Sequence, residues 1–234
     1  LCASAAYTGY TVSGGFADYT LAEASHAGRI PEGLDLFEAA PVLCAGVTTY
    51  KGLKETEAKP GEWVVISGVG GLGHLAVQYA KAMGLRVVAV DIADEKLALA
   101  KQVGADAIVN VATEADPIAA VESVTNGVAH GVLITAPAVS AFKQGVGMTR
   151  RHGTCVLVGL PPGDFPTPIF DIVLKRITVR GSLVGTRQDL NEALRFAANG
   201  LILPQIERQP LEAINTVFER LKKGQVDGRI VLEL

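Results

Sequence analysis

Ser67-Gly68-Val69-Gly70-Gly71-Leu72-Gly73-His74 stands between a short apolar run, Trp63-Val64-Val65-Ile66, and a stretch from Leu75 to Met83 with apolar residues at helical spacing, closed by Gly84. The order is strand, glycine turn, helix. Gly68 permits a tight turn, Gly70 lets main chain approach an anion with no side chain in the way, and Gly73 lets the helix pack closely on the strand. The first helical turn then directs its free N–H groups and its positive dipole end toward the same place. These residues predict a cradle for the diphosphate of a dinucleotide, shaped by Gly68, Gly70 and Gly73.

A second strand, Arg86-Val87-Val88-Ala89-Val90, ends on Asp91, eighteen residues after Gly73. An acid at that distance accepts hydrogen bonds from the adenosine ribose, and its charge repels a 2′-phosphate, so NAD is favoured over NADP. Asp91 could instead cap a helix beginning at Ala93-Asp94-Glu95-Lys96. The complete order of strand, turn, helix and acid supports the nucleotide reading.

From Gly61 to about Ser182 strands and helices alternate, which predicts a parallel sheet covered on both faces. Six strands are expected, at Val64–Ser67, Val87–Asp91, Ala107–Val111, Val132–Thr135, Thr154–Gly159 and Thr178–Ser182. Helices are expected at Glu95–Val103, Pro117–Thr125, Ala138–Met148 and Phe170–Lys175. The fold class is α/β, a doubly wound six-stranded Rossmann sheet whose ligand lies at the carboxyl ends of the strands. The loop Gly159-Leu160-Pro161-Pro162-Gly163 sits at such an end. Before this unit short strands are expected, Gly15–Leu21 being the clearest, then a helix from near Asp35. After Gly185 come a helix at Asp189–Ala198, extended chain around Leu201–Arg208, a helix at Leu211–Lys223 and a closing strand at Arg229–Leu234. The two flanks are expected to pack together, with the nucleotide unit inserted between them.

With 234 residues, 49% apolar and 19% charged, the chain can bury a substantial core. Its net charge of −3 is interspersed, which excludes a basic face for nucleic acid or an anionic membrane. No apolar run approaches the roughly 18 residues of a membrane span, and no signal peptide opens the sequence, so a cytoplasmic location is expected. Cys2, Cys44 and Cys155 are odd in number and widely spaced, which argues against a disulfide framework. The opening Leu1-Cys2, without methionine, reads as a piece of something longer.

The string Ala39-Ala40-Pro41-Val42-Leu43-Cys44-Ala45-Gly46-Val47-Thr48-Thr49-Tyr50-Lys51-Gly52-Leu53-Lys54 closely resembles zinc-dependent medium-chain alcohol dehydrogenases of the tetrameric yeast-like type. Further matching stretches are Gly70–Met83, Ala129–Val132, Gly153–Gly159, Gly181–Gly185 and Gly228–Val231. The resemblance covers almost the whole chain. It implies interconversion of a primary or secondary alcohol and its aldehyde or ketone with NAD. It also implies a partial, mostly β, GroES-like substrate domain at residues 1–45, a Rossmann domain at 46–183, and a return to the substrate domain at 184–234.

In that family Cys44 resembles a ligand of the catalytic zinc, whose other ligands, a Cys and a His, belong upstream of Leu1. Cys2 resembles the last cysteine of a structural zinc lobe. Thr48, one helical turn after Cys44, is placed to pack against the nicotinamide. Gly70, Gly71 and Leu72 resemble the diphosphate cradle, Lys96 resembles a ribose or phosphate contact, Val158, Leu160, Ser182 and Val184 resemble the nicotinamide lining, and Arg229 resembles a diphosphate partner whose planar fork suits phosphate oxygens. Simpler roles exist for several: Lys96 as a solvated helix residue, the valines as strand core, Arg229 as a surface ion pair. Cys155, inside an apolar strand, is expected in the core. None of His26, His74, His130 and His152 is assigned to catalysis, His74 being expected at a solvated helix start. The resemblance further implies a small alcohol or aldehyde partner and a homo-oligomer, dimer or tetramer, with Ile177–Val184 at a subunit edge. Two alternatives stay open: an NAD-binding remnant or scaffold without turnover, and a zinc-free quinone or enoyl reductase of the same superfamily.

Overall fold

The computed structural model describes residues 3–127 and 129–234. Cys2 lies outside the described residues. Six strands, β1 (Trp63–Ser67), β2 (Arg86–Asp91), β3 (Ala107–Asn110), β4 (Ala129–Ile134), β5 (Thr149–Leu157) and β6 (Thr178–Gly181), form one sheet in the order β3-β2-β1-β4-β5-β6, every pair parallel. This is the doubly wound order expected from the alternation. The direction of winding reverses between β1 and β4, where Val65 pairs with Val88 on one side and with Val132 on the other.

Parallel strands carry helices on both faces, so neither alternating set of side chains can be polar. On β1, Val64 and Ile66 enter one apolar core, while Trp63 and Val65 enter the other. The first core lies beneath α2 (Val47–Glu55), α3 (Gly73–Ala82), α4 (Asp94–Gln102) and α8 (Arg187–Ala198), represented by Leu53, Tyr79, Ala100 and Leu194. The second lies beneath α5 (Pro117–Thr125) and α6 (Val139–Gly147), with Val121, Phe142 and the buried Cys155. Cys155 is fully buried, a core residue as expected, and that burial pushes its thiol up to about 12.

Helix boundaries follow their caps. Asp116 accepts hydrogen bonds from the Ile118 and Ala119 N–H groups, Pro117 occupies the first turn, and Asn126 ends α5 in the left-handed region. The helix expected near Asp35 begins as α1 (Leu36–Pro41), its Asp35 carboxylate accepting from Phe37 and Glu38. Pro41 has no N–H for the ladder, and directly after it the helix widens into a π turn, Val42–Gly46, before continuing as α2. Strand β5 starts earlier than expected because a bulge between Ala129 and Gly131 shifts its pairing with β4. Between β5 and β6 lies α7 (Ile169–Lys175).

The flanks differ more. No strand forms at residues 15–21: the segment runs as bends and extended chain, with Tyr19 and Leu21 almost fully exposed. An extended segment holds its shape through a neighbour's hydrogen bonds, and none of the described residues supplies that neighbour. Among the described residues the sheet in the flanks is the parallel pair β7 (Ile206–Pro210) and β8 (Arg229–Glu233), joined through α9 (Ile214–Lys222).

The two flanks do meet the nucleotide unit and each other. Tyr50, Tyr79 and Phe196 pack as tilted and edge-on rings where α2, α3 and α8 converge, and the Tyr79 hydroxyl donates to the Ala193 carbonyl at 3.1 Å. Lys54 Nζ lies 2.9 Å from Asp189 and 2.8 Å from Glu192, and the Tyr50 hydroxyl also donates to Glu192. Phe16 packs edge-on against Phe218 with ring centroids 6.3 Å apart.

Candidate functional site

At the carboxyl ends of β1, β2 and β4 a cavity of about 460 Å³ opens, lined by Gly68, Gly70, Gly71, Leu72, Asp91 and Lys96 among others. Its floor is the glycine turn. Gly68 has φ +93°, and a Cβ there would lie 2.7 Å from the Ala136 nitrogen. At Gly73 a Cβ would fall within the Gly68 carbonyl, so the start of α3 can approach the turn only without a side chain. Gly70 has nothing within 4 Å of the corresponding position, which leaves room above the backbone.

The turn supplies donors to that room. Among the described residues the N–H groups of Gly70, Gly71 and Leu72 have no protein acceptor, and Leu72, the cap residue of α3, has no side-chain acceptor to offer the first turn. Unpaired amides at a helix start form a site for an anion. Thr135 steadies the turn from β4's end, its hydroxyl donating to the Gly68 carbonyl at 2.6 Å. These features fit the diphosphate of NAD.

Asp91 closes the second strand at the cavity's side. One carboxylate oxygen accepts the Val69 N–H at 2.6 Å, and the other accepts the N–H groups of Ile92 and Ala93 at 2.8 and 3.1 Å. Asp91 thus ties the turn to the segment just before α4, whose first N–H groups it does not cap, and it lines the cavity. Lys96 lines the same cavity from α4.

Arg229 comes from the far end of the sequence. Its guanidinium packs against the turn so closely that a Cβ on Gly71 would sit 2.9 Å from Nη1. That contact, in place of a surface ion pair, is how the structure uses it.

The remaining expected residues are spread over a second region. Leu160 and Ser182 line a cavity of about 680 Å³ bounded by the ends of β5 and β6 and by α6. The Ser182 hydroxyl is buried without a protein partner, an unspent polar group at the place expected to receive the carboxamide end of the coenzyme. Val158 packs on the first core, whereas Val184 is no strand residue: it lies beyond β6, partly exposed, with φ +48°. That region is unfavourable for a β-branched side chain, and such strain gathers at functional sites. Cys44, Thr48, Val158 and Val184 line neither cavity.

Cys44 is exposed on the π turn, and Thr48 is buried one turn further on. The wide turn leaves carbonyls poorly matched to the ladder, and the Thr49 hydroxyl bonds those of Ala45 and Gly46 at 2.9 and 3.0 Å. No three His, Cys, Asp or Glu side chains among the described residues converge to hold a metal ion. Catalytic zinc takes three protein ligands, so the donors described around Cys44 do not by themselves fit the ion.

Thr49, Thr135 and Gln78 were not singled out from the sequence, and His74 was given no catalytic role. His74 is fully buried, contrary to the solvated helix start expected of it. The i, i+4 spacing of His74 and Gln78 on an otherwise apolar helix face was the signal available for that pair.

Comparisons with known proteins agree with this geometry. A family model described as zinc-binding dehydrogenase matches residues 71–199. The alcohol dehydrogenase of Moraxella sp. (strain TAE123) is 57% identical over 233 residues, covering 100% of this chain and 68% of that protein. An alcohol dehydrogenase of Geobacillus stearothermophilus is 55% identical over 234 residues, with 100% and 69% covered. Among solved structures, the alcohol dehydrogenase of the archaeon Aeropyrum pernix superposes with TM-score 0.90 at 32% identity, covering 98% of this chain and 68% of that one. Acetophenone reductase from Geotrichum candidum, solved in complex with NAD, superposes with TM-score 0.87 at 28% identity, covering 99% and 65%. Sequence, sheet order and turn geometry converge: the chain belongs to the zinc-binding, medium-chain alcohol dehydrogenase family.

Proposed function

We propose that this chain forms the coenzyme half of an alcohol dehydrogenase that works with NAD on a small primary or secondary alcohol and its carbonyl product. The observation that carries the assignment is the set of unpartnered Gly70, Gly71 and Leu72 amides beneath an open space, flanked by Asp91. When bound, NAD supplies the acceptor for a hydride from the alcohol. The chain's own part is placement. The three amides and the Arg229 guanidinium hold the diphosphate, Gly68 and Gly73 shape the turn, and Asp91 and Lys96 hold the adenosine ribose.

On the nicotinamide side, Val158, Leu160, Ser182 and Val184 orient the carboxamide, with Ser182 Oγ as the group in want of a partner. Thr48 packs beside the ring. Cys44 is assigned as one zinc ligand, and Cys2 to the structural zinc. Neither metal's full ligand set is among the described residues.

Residues 1–45 and 184–234 are assigned to the substrate side and 46–183 to the coenzyme side. Self-association is assigned to the β6 edge and α7, where Ile169 and Phe170 are 80% and 74% exposed. Free thiols at Cys44 and Cys155 are in keeping with a cytoplasmic location. Among the described residues no helix is long and apolar enough to cross a membrane.

Isothermal titration with NADH and NADPH is the direct test. Preferential binding of NADH supports the assignment, and no heat with either coenzyme, on folded protein, overturns it. Coenzyme binding with no reduction of NAD in the presence of ethanol and other small alcohols would favour a binding protein without turnover.

A further inference from the structure

One face of α3 grips the chain ahead of β7 by its backbone. Gln78 bonds both main-chain groups of Leu203: its Oε1 accepts the Leu203 N–H at 2.7 Å, and its Nε2 donates to the Leu203 carbonyl at 3.1 Å. One turn earlier, His74 Nε2 lies 3.3 Å from the Gln205 backbone nitrogen, and Nδ1 lies 3.1 Å from the Gly70 carbonyl. A backbone N–H can only donate, so Nε2 must be the acceptor and Nδ1 must carry the proton. This assignment leaves the imidazole neutral.

The contacts continue into a closed circuit. The Gln205 carbonyl accepts the Arg229 N–H at 2.8 Å, and the Arg229 side chain returns to Gly71, the neighbour of Gly70. We propose that His74 is a positioning residue for the coenzyme, tying the diphosphate turn to Gln205 and thereby setting where the Arg229 guanidinium stands over that turn. The inference rests on the reading of the turn and Arg229 as the diphosphate site. Burial, with Arg229 nearby as the charged group acting on it, holds the His74 imidazole down to about 4, in keeping with the neutral form the hydrogen bonds require.

The test compares ligands that do and do not carry a diphosphate. The parent chain, His74→Asn, Arg229→Gln and the double variant are titrated calorimetrically with NADH, ADP-ribose and adenosine. Asn keeps a donor for Gly70 but cannot reach Gln205. His74→Asn is expected to weaken NADH and ADP-ribose about tenfold, to leave adenosine unchanged, and to cause no further loss once Arg229 is replaced. His74→Gln, long enough to offer an oxygen to Gln205, should recover most of the affinity.

Equal weakening of adenosine, or full additivity in the double variant, would overturn the proposal. Should His74→Asn fail to fold, Gln205→Pro removes the same hydrogen bond from its other end, and unchanged NADH affinity in that variant overturns it equally. A parent chain that binds none of the three ligands overturns the site reading and this inference together. Tight parent binding that His74→Asn leaves untouched overturns this inference alone.

Discussion

Gly73 abuts the carbonyl of Gly68, and that contact sets the distance between the first turn of α3 and the end of β1. Gly70, between them in sequence, faces open space. Alanine at the two positions should therefore behave differently. Gly73→Ala forces the helix off the turn and is expected to cost about 1–3 kcal/mol in urea unfolding, with loss of coenzyme binding. Gly70→Ala should leave the unfolding midpoint nearly unchanged while weakening NADH by an order of magnitude or more in titration, because its methyl group enters the phosphate's space.

The Asp91 carboxylate accepts three backbone N–H groups as well as facing the cavity. Asp91→Ser removes both the ribose acceptor and the charge that opposes a 2′-phosphate. The ratio of NADPH to NADH dissociation constants should fall by at least about tenfold, a difference near 1.4 kcal/mol. Some loss of thermal stability should accompany it, since one serine oxygen cannot serve three amides separated across the turn.

His74 is held at about 4 in the folded chain against an ordinary value of 6.5. The unfolded chain therefore binds the extra proton first as pH falls. Stability from this group is fully present above about 6.5 and is lost progressively down to about 4, an order-of-magnitude cost of about 3 kcal/mol. Asp189, held down to about 2 largely by Lys54 and Thr186 despite its burial, adds a second loss below its ordinary 3.8. Urea midpoints measured from pH 7.5 to 4 should decline for the parent and decline less for His74→Gln.

Lys54 bridges α2 to the Asp189 and Glu192 carboxylates of α8, and the Asp189 side chain is only 4% exposed. Lys54→Met removes the cation and leaves a buried carboxylate that keeps only its bonds from Thr186. A loss of about 2 kcal/mol is expected, seen as a lower urea midpoint at pH 7. The deficit should shrink at acid pH, where Asp189 is protonated without cost.

Phe170 stands 74% exposed on α7, which precedes β6, the last strand of the described sheet. If that face joins copies of the chain, Phe170→Asp should shift sedimentation from oligomer to monomer with little change in far-UV circular dichroism. A parent chain that sediments as a monomer at all concentrations would sink the assignment.

How much the sequence carried can be judged residue by residue. The strand, turn, helix and acid from Trp63 to Asp91 were legible because each rests on local physics: short apolar runs buried on both faces of the sheet, a left-handed φ at Gly68, and helix spacing after Gly73. Helix α5 matched end to end because Asp116, Pro117 and Asn126 encode its limits. The strand expected at residues 15–21 did not form, since alternation cannot show whether a neighbouring strand is there to pair.

By itself, then, the sequence determined the doubly wound sheet and the coenzyme turn, because those are properties of short windows of chain. Tertiary structure alone decided that His74 would be buried and neutral, that its ring would meet Gln205 across 131 residues, and that Arg229 would stand against Gly71. Such contacts join residues through packing and loop closure, and no periodicity or propensity records which distant partner will arrive.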